Sequence, residues 1–343
     1  MLIIGTKSKS NWGMNNALSM TLGPFWRETI NEDHVIKTMS LQKLNESDML
    51  KVYGHLVFRI KDRLFVMGGY YPDQPKISTM ACYDGHNYEN HLWTRKLSED
   101  LKWLFAAGSI DNSQNNKQRF LRFGGRKSPF DCSSDLHAID YEGSMNRIDM
   151  KQASRARWGH TVHSISDHLY LIGGRDLHMT LDTIEEFKVN NVDVEQQRCT
   201  KLKFGIYGHA SSIFKEKIVI SGGLKNSTRC DVNKQLIIYN PKEEENNHNQ
   251  AGMPLRYIDV DNYFPRFNHT SHVTNGGVLI QVGGVVMSSY DVVITSIDLK
   301  TFIATNFQPD IPPAVPLVNH CSILCDDQEI KIFGGGTNCK FVL

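Results

Sequence analysis

The stretch His160-Thr161-Val162-His163-Ser164-Ile165-Ser166-Asp167-His168-Leu169-Tyr170-Leu171-Ile172-Gly173-Gly174 decides the fold. An apolar run, Leu169-Tyr170-Leu171-Ile172, ends in a diglycine, and a polar turn, Ser166-Asp167-His168, separates it from a histidine upstream. This reads as a β-hairpin: strand, tight turn, strand, diglycine. The run lacks clean alternation, as strands covered on both faces do. The glycines suit a point where the chain turns against a crowded neighbour, because glycine reaches φ > 0 without a Cβ penalty.

The same unit recurs along the chain. The diglycines are Gly68-Gly69, Gly124-Gly125, Gly173-Gly174, Gly222-Gly223, Gly283-Gly284 and Gly334-Gly335, with first glycines 56, 49, 49, 61 and 51 residues apart. His55, His160 and His209 stand 13 residues before their diglycine, and His269 and His320 stand 14 before theirs. Repeat two departs: Trp103-Leu104-Phe105-Ala106 occupies the histidine position, and a polar insertion, 112–117, enlarges the turn. Third strands are expected at 80–83, 136–139, 184–187, 236–239 and 292–297, and fourth strands at 92–96, 256–260 and 302–307. A period of about 50 residues with four strands per unit is the pattern of a kelch-type β-propeller. The expected fold is therefore all-β, a six-bladed kelch-type propeller spanning 33–343. Its ring would be closed by an N-terminal strand within 34–41 added to the C-terminal blade, removing an open edge. Residues 1–32 show no repeat and are expected to form an N-terminal arm. The polar segment 242–250 accounts for the 61-residue gap and reads as a solvated loop.

Composition narrows the function classes. The net charge is +1, so no global field draws the chain to nucleic acid or to a membrane, and any polyanion site must be local. The seven cysteines are odd in number and scattered, as in a reduced compartment; a cytoplasmic protein is expected. No signal-peptide core or long apolar run is present. The histidines recur as a feature of the repeat, and positions on different blades are too far apart for one metal, so no metal site is expected. Cys321 and Cys325 beside His320 read as packed strand residues. No Walker loop, Gly-x-Gly-x-x-Gly, Gly-x-Ser-x-Gly or HExxH motif occurs, and no catalytic residue is assigned.

The loop entering the first strand and the loop leaving the second share one face of a blade. Lys51, Arg155, Arg157 and Arg266 precede first strands, and Arg126 and Arg175 follow diglycines. All six are expected on one face near the axis. They are candidate ligands for an anion such as phosphate or carboxylate, arginine offering bidentate geometry. Alternatively, each arginine bonds backbone carbonyls of a neighbouring blade.

The C-terminal third adds a more specific signal. Pro265-Arg266-Phe267-Asn268-His269-Thr270-Ser271-His272-Val273, Asn319-His320-Cys321-Ser322-Ile323-Leu324 and Phe333-Gly334-Gly335-Gly336-Thr337-Asn338-Cys339 resemble the propeller half of the tRNA wybutosine-synthesising methyltransferases, relatives of leucine carboxyl methyltransferase. The likeness is good from about 264 to 341 and thins to a general kelch pattern before that. The resemblance implies methylation and methoxycarbonylation of a modified base beside the anticodon of phenylalanine tRNA. It also implies an S-adenosylmethionine domain ahead of the propeller. Only about 50 residues precede the first hairpin here, whereas such a domain needs well over 100. The methyltransferase half is thus expected to be missing and no cofactor is expected in this chain. The expected partners are tRNA or a separate methyltransferase subunit, with no membrane. An interaction scaffold binding proteins is the alternative reading.

Overall fold

The computed structural model describes the backbone of 17–22, 39–43, 54–69, 79–86, 90–97, 104–112, 118–128, 130–152, 154–190, 192–226, 231–243, 253–286, 294–307, 317–325 and 329–334, with side chains from 54 onward except that of 127. Among these residues every regular element is a strand, so the chain is all-β. No helix of the described residues is long and apolar enough to cross a membrane. The chain divides into two compact units, one of Gly54–His209 with Leu224–Asp231, the other of Met1–Tyr53, Ala210–Gly223 and Val232–Leu343.

The first unit holds repeats one to three, each a four-stranded antiparallel meander. Repeat one is Leu56–Ile60, Arg63–Met67, Thr79–Asp84 and His91–Lys96. Repeat two is Ala107–Asp111, Arg119–Phe123, Leu136–Ile139 and Met145–Met150. Repeat three is Thr161–Ile165, His168–Ile172, Thr183–Val189 and Asp193–Lys201. The outer strands of repeats two and three also touch in parallel, Asp149 opposite Asp193 and Met150 opposite Val194, which joins the two meanders into one eight-stranded sheet. The second unit holds repeat four (Ala210–Phe214, Lys217–Ser221, Gln235–Tyr239, Leu255–Asp259) and repeat five (Thr270–Val273, Val278–Val282, Ile294–Asp298, Ala304–Phe307).

The sixth sheet differs from expectation. Cys321–Cys325 and Glu329–Phe333 form its hairpin, Ala17–Leu22 pairs antiparallel with Glu329–Phe333, and Met39–Lys43 pairs with Ala17–Leu22. Two N-terminal strands complete it rather than one, so a strand from within the supposed N-terminal arm takes the third place.

Both faces of the second strands are covered, which is why they read as largely apolar runs without alternation: all five residues of Val278–Val282, Gln281 included, are buried. Between repeats one and two, Phe58 stacks on Phe120 with ring centroids 3.8 Å apart. Phe65, Met80 and Ile139 surround them. Between repeats two and three, Leu121, Phe123, Leu136, Leu169, Leu171 and Phe187 form one cluster. Repeats four and five meet through Val219, Leu236, Leu279 and Ile297, and repeats five and six through Ile280, Ile294, Leu317 and Ile330.

The diglycine and the histidine turn out to be two halves of one contact. A β-carbon on Gly124 would stand 2.9 Å from Cε1 of His160 in the next repeat; the matching distances are 3.1 Å for Gly173 and His209, 2.7 Å for Gly222 and His269, and 2.8 Å for Gly283 and His320. Each second glycine then donates its amide hydrogen to the residue three before that histidine. Gly125 reaches Arg157 O at 2.9 Å, Gly174 Ile206 O at 2.7 Å, Gly223 Arg266 O at 2.8 Å and Gly284 Leu317 O at 2.6 Å. A side chain on the first glycine would break this register between successive sheets.

Candidate functional site

The backbone just before each first strand sets the site. In the first unit, Gly54, Phe105, Gly159 and Gly208 all have positive φ, between 53° and 65°. They are linked in series: Phe105 N donates to Gly54 O at 3.0 Å, Gly159 N to Phe105 O at 3.2 Å and Gly208 N to Gly159 O at 2.8 Å. In the second unit Asn268 and Asn319 take the same conformation, with φ of 54° and 55°, and Asn319 N donates to Asn268 O at 3.3 Å. Glycine and asparagine tolerate this left-handed conformation; phenylalanine does not.

The residues before Phe105, Gly159 and Gly208 each face the segment leaving a diglycine. Leu104 bridges Arg126, Trp158 bridges Arg175 and Tyr207 bridges Leu224. Side chains gather along this line in the first unit. The Phe105 and Trp158 rings are 6.0 Å apart, and Trp158 and Tyr207 meet edge to face at 5.6 Å. The Arg126 guanidinium lies 4.1 Å from the Trp158 centroid and 5.1 Å from that of Phe105, and Arg175 lies 5.8 Å from that of Tyr207. All five side chains are partly exposed. Lys225 over Phe204, 4.9 Å from its centroid, adds one more cation–aromatic pair in this unit. Alternating cations and aromatic faces offer phosphate contacts and stacking surfaces together.

The six cations named from the sequence separate in the structure. Arg126 and Arg175 stand on this strip. Arg155 is exposed nearby and pairs with Asp176 at 3.3 Å. Arg157 is fully buried beneath, donating to Arg155 O at 3.1 Å, Gly173 O at 3.1 Å and Ser154 Oγ at 2.9 Å, and pairing with Glu185. Burial alone would raise the Glu185 carboxyl; the Arg157 charge and hydrogen bonds from Ser154, Arg157 and Thr183 outweigh it and hold the pKa below the ordinary value. Arg266, in the other unit, is fully buried too; it donates to Gly283 O at 2.9 Å and to Thr295 Oγ1, and burial lowers its pKa to about 10. Thr295 and Glu185 hold the same place in their repeats, opposite Gln281 and Leu171 on the second strand. Lys51 lies outside the described residues.

The aromatic members were not picked out in the sequence. Their signal was present: an aromatic residue two before a histidine, followed by Gly or Asn, as in Trp158-Gly159-His160, Tyr207-Gly208-His209 and Phe267-Asn268-His269. The histidines themselves are buried and structural. Burial pulls His209 down to about 3 and His160 well below the ordinary range, so both are neutral at pH 7.

Comparison with known proteins gives two relatives. Human tRNA wybutosine-synthesizing protein 4 is 26% identical over 320 residues, covering 80% of this chain and 43% of that protein. The Arabidopsis thaliana tRNA wybutosine-synthesizing protein 2/3/4 is 28% identical over 127 residues, covering 36% of this chain and 13% of that protein. No family model matches the chain. The chain spans less than half the length of the curated relatives it matches. The repeated strands of these two units are thus homologous to part of the tRNA wybutosine-synthesizing proteins.

Proposed function

We propose that this chain is a six-bladed kelch-type propeller that binds tRNA in a wybutosine-related modification, in the cytoplasm. The observation that carries the reading is the Arg126–Trp158–Arg175–Tyr207 strip on a chain homologous to tRNA-modifying proteins. The cations supply phosphate contacts and the rings supply stacking for bases, which a near-neutral protein needs in one place. Arg157, buried beneath, holds the loop that precedes Trp158. S-adenosylmethionine-dependent methyl transfer is assigned to a methyltransferase outside the present sequence, whether a further domain or a separate subunit. The test is a gel shift of the purified protein with phenylalanine tRNA across a salt series, where phosphate contacts give the strongest binding at low salt. Absence of a shift at low salt would sink the reading.

One observation favours a protein-binding scaffold instead. Phe130, Leu177 and Met179 are exposed at 86%, 42% and 50% on the first unit, with the Leu177 backbone hydrogen-bonding the Cys132 thiol and Met179 beside Arg155. A stoichiometric protein partner in a pull-down, with no RNA, would select that reading.

A further inference from the structure

Repeat two breaks the pattern at one atom-level position. Where the other described repeats place Gly54, Gly159, Gly208, Asn268 or Asn319, it places Phe105 at φ 53°. A bulky side chain rarely adopts this conformation, and such residues persist where the surroundings over-determine them, often at ligand sites. Two of the three backbone bonds of the series pass through Phe105, so the chain imposes the conformation regardless of the side chain. Glycine or asparagine would satisfy it with less strain.

What the phenylalanine adds is its ring. One side lies over Gly54, where a β-carbon would stand 3.0 Å from the Phe105 Cε1; that repeat has glycine at this point and leaves room for the ring. The ring stays half-buried rather than buried, with Arg126 at 5.1 Å and Trp158 at 6.0 Å. In the same repeat, Ala106 replaces the histidine that the other repeats pack on a diglycine. Strain, a lost staple and a partly exposed aromatic ring coincide in one repeat.

We propose that Phe105 is a ligand-contacting residue that stacks an unpaired nucleobase, with Arg126 beside it engaging the adjoining phosphate. The proposal rests on the tRNA-binding reading and names the contact that gives it base preference. Stacking is tolerant of sequence and needs a base free of its pair, so a loop or end is bound and a continuous duplex is not.

The experiment compares the wild-type chain with Phe105→Asn and Phe105→Tyr, using a phenylalanine tRNA transcript and a fully paired RNA duplex as probes. Melting temperature and fluorescence anisotropy are read on the same samples. Asparagine keeps the backbone conformation, as at Asn268 and Asn319, and removes the ring. The expected result for Phe105→Asn is an unchanged or higher melting temperature with tRNA affinity about tenfold weaker, the scale of one lost base stack. Phe105→Tyr should bind as the wild type does, and the duplex should bind equally weakly to all three. Equal tRNA affinity of Phe105→Asn and wild type overturns the contact. A clear fall in its melting temperature overturns the argument from strain and makes Phe105 a packing residue. Failure of the wild type itself to bind the transcript defeats the tRNA-binding reading, a separate outcome.

Discussion

Gly173 lies beneath His209 of the following repeat: a β-carbon on it would stand 3.1 Å from His209 Cε1 and 2.4 Å from the Ile206 carbonyl oxygen. The carbonyl is backbone and cannot swing aside. Gly173→Ala should therefore destabilise the chain by about 3 kcal/mol or more, from the left-handed φ and the overlap together. Gly159→Ala offers the contrast. Its β-carbon would meet nothing closer than 3.4 Å, so only the φ cost of about 1–2 kcal/mol should remain. Denaturant midpoints of the two variants check the order; a milder effect at 173 than at 159 would contradict it.

Arg157 and Glu185 form a buried pair with the Ser154 hydroxyl between them. Removing one partner leaves the other charged and without compensation. Arg157→Ala should cost about 3–5 kcal/mol. Arg126→Ala, on the exposed strip, should cost only about 0.5–1 kcal/mol. Its effect should fall on tRNA binding instead, lowering the slope of log affinity against log salt by about 1. Unfolding curves and a salt titration on both variants separate the two roles. An Arg157→Ala protein of normal stability would mean that the pair does not hold the fold.

Acid should weaken the fold before the carboxylates titrate. Burial lowers His137 and His272 to about 4 and His209 to about 3. In the unfolded chain a histidine titrates near 6.5, so between these values the unfolded state binds more protons. Stability is complete above pH of about 6.5 and falls as pH drops toward 4, by up to about 1.4 kcal/mol per pH unit for each such histidine. Glu185, also depressed, adds its loss at lower pH still. Melting temperatures should hold from pH 7.5 to about 6.5 and decline from there to pH 4.5; a flat profile would show that these histidines are solvated.

Deleting Ala17–Leu22 should leave Glu329–Phe333 as an unpaired edge of its sheet. The expected outcome is aggregation of the expressed protein, read as loss from the soluble fraction. Soluble, monomeric material of unchanged melting temperature would show that the pairing is dispensable.

The repeat was legible because its cause is steric. Gly124, Gly173, Gly222 and Gly283 each touch the histidine of the following repeat, so both recur in the units that have such a neighbour, and the touching atoms permit little else. The strand at Ala17–Leu22 was harder to see. Leu18, Met20 and Leu22 alternate with Ser19 and Thr21, but no diglycine follows, so the segment lacks the mark by which the other strands were found. The arginines divide for a related reason. Three residues before the histidines stand Arg157, Ile206, Arg266 and Leu317. A position that alternates arginine with isoleucine and leucine is a buried slot, and at Arg157 and Arg266 the guanidinium fills it. The strip of Arg126, Trp158 and Tyr207 depends on how neighbouring repeats lean together, which no spacing within one repeat discloses.

The sixth sheet imposes an order in time. Ala17 pairs with Phe333, so this strand is made well before its partner and waits for it. At about 5–20 residues per second the delay is roughly 15–60 s on the ribosome. Each of the other five meanders can close as soon as its own strands emerge. That strand thus finds its place only after the meanders between it and its partner have been made. Chaperone dependence in the cell should therefore track the last repeat rather than the first.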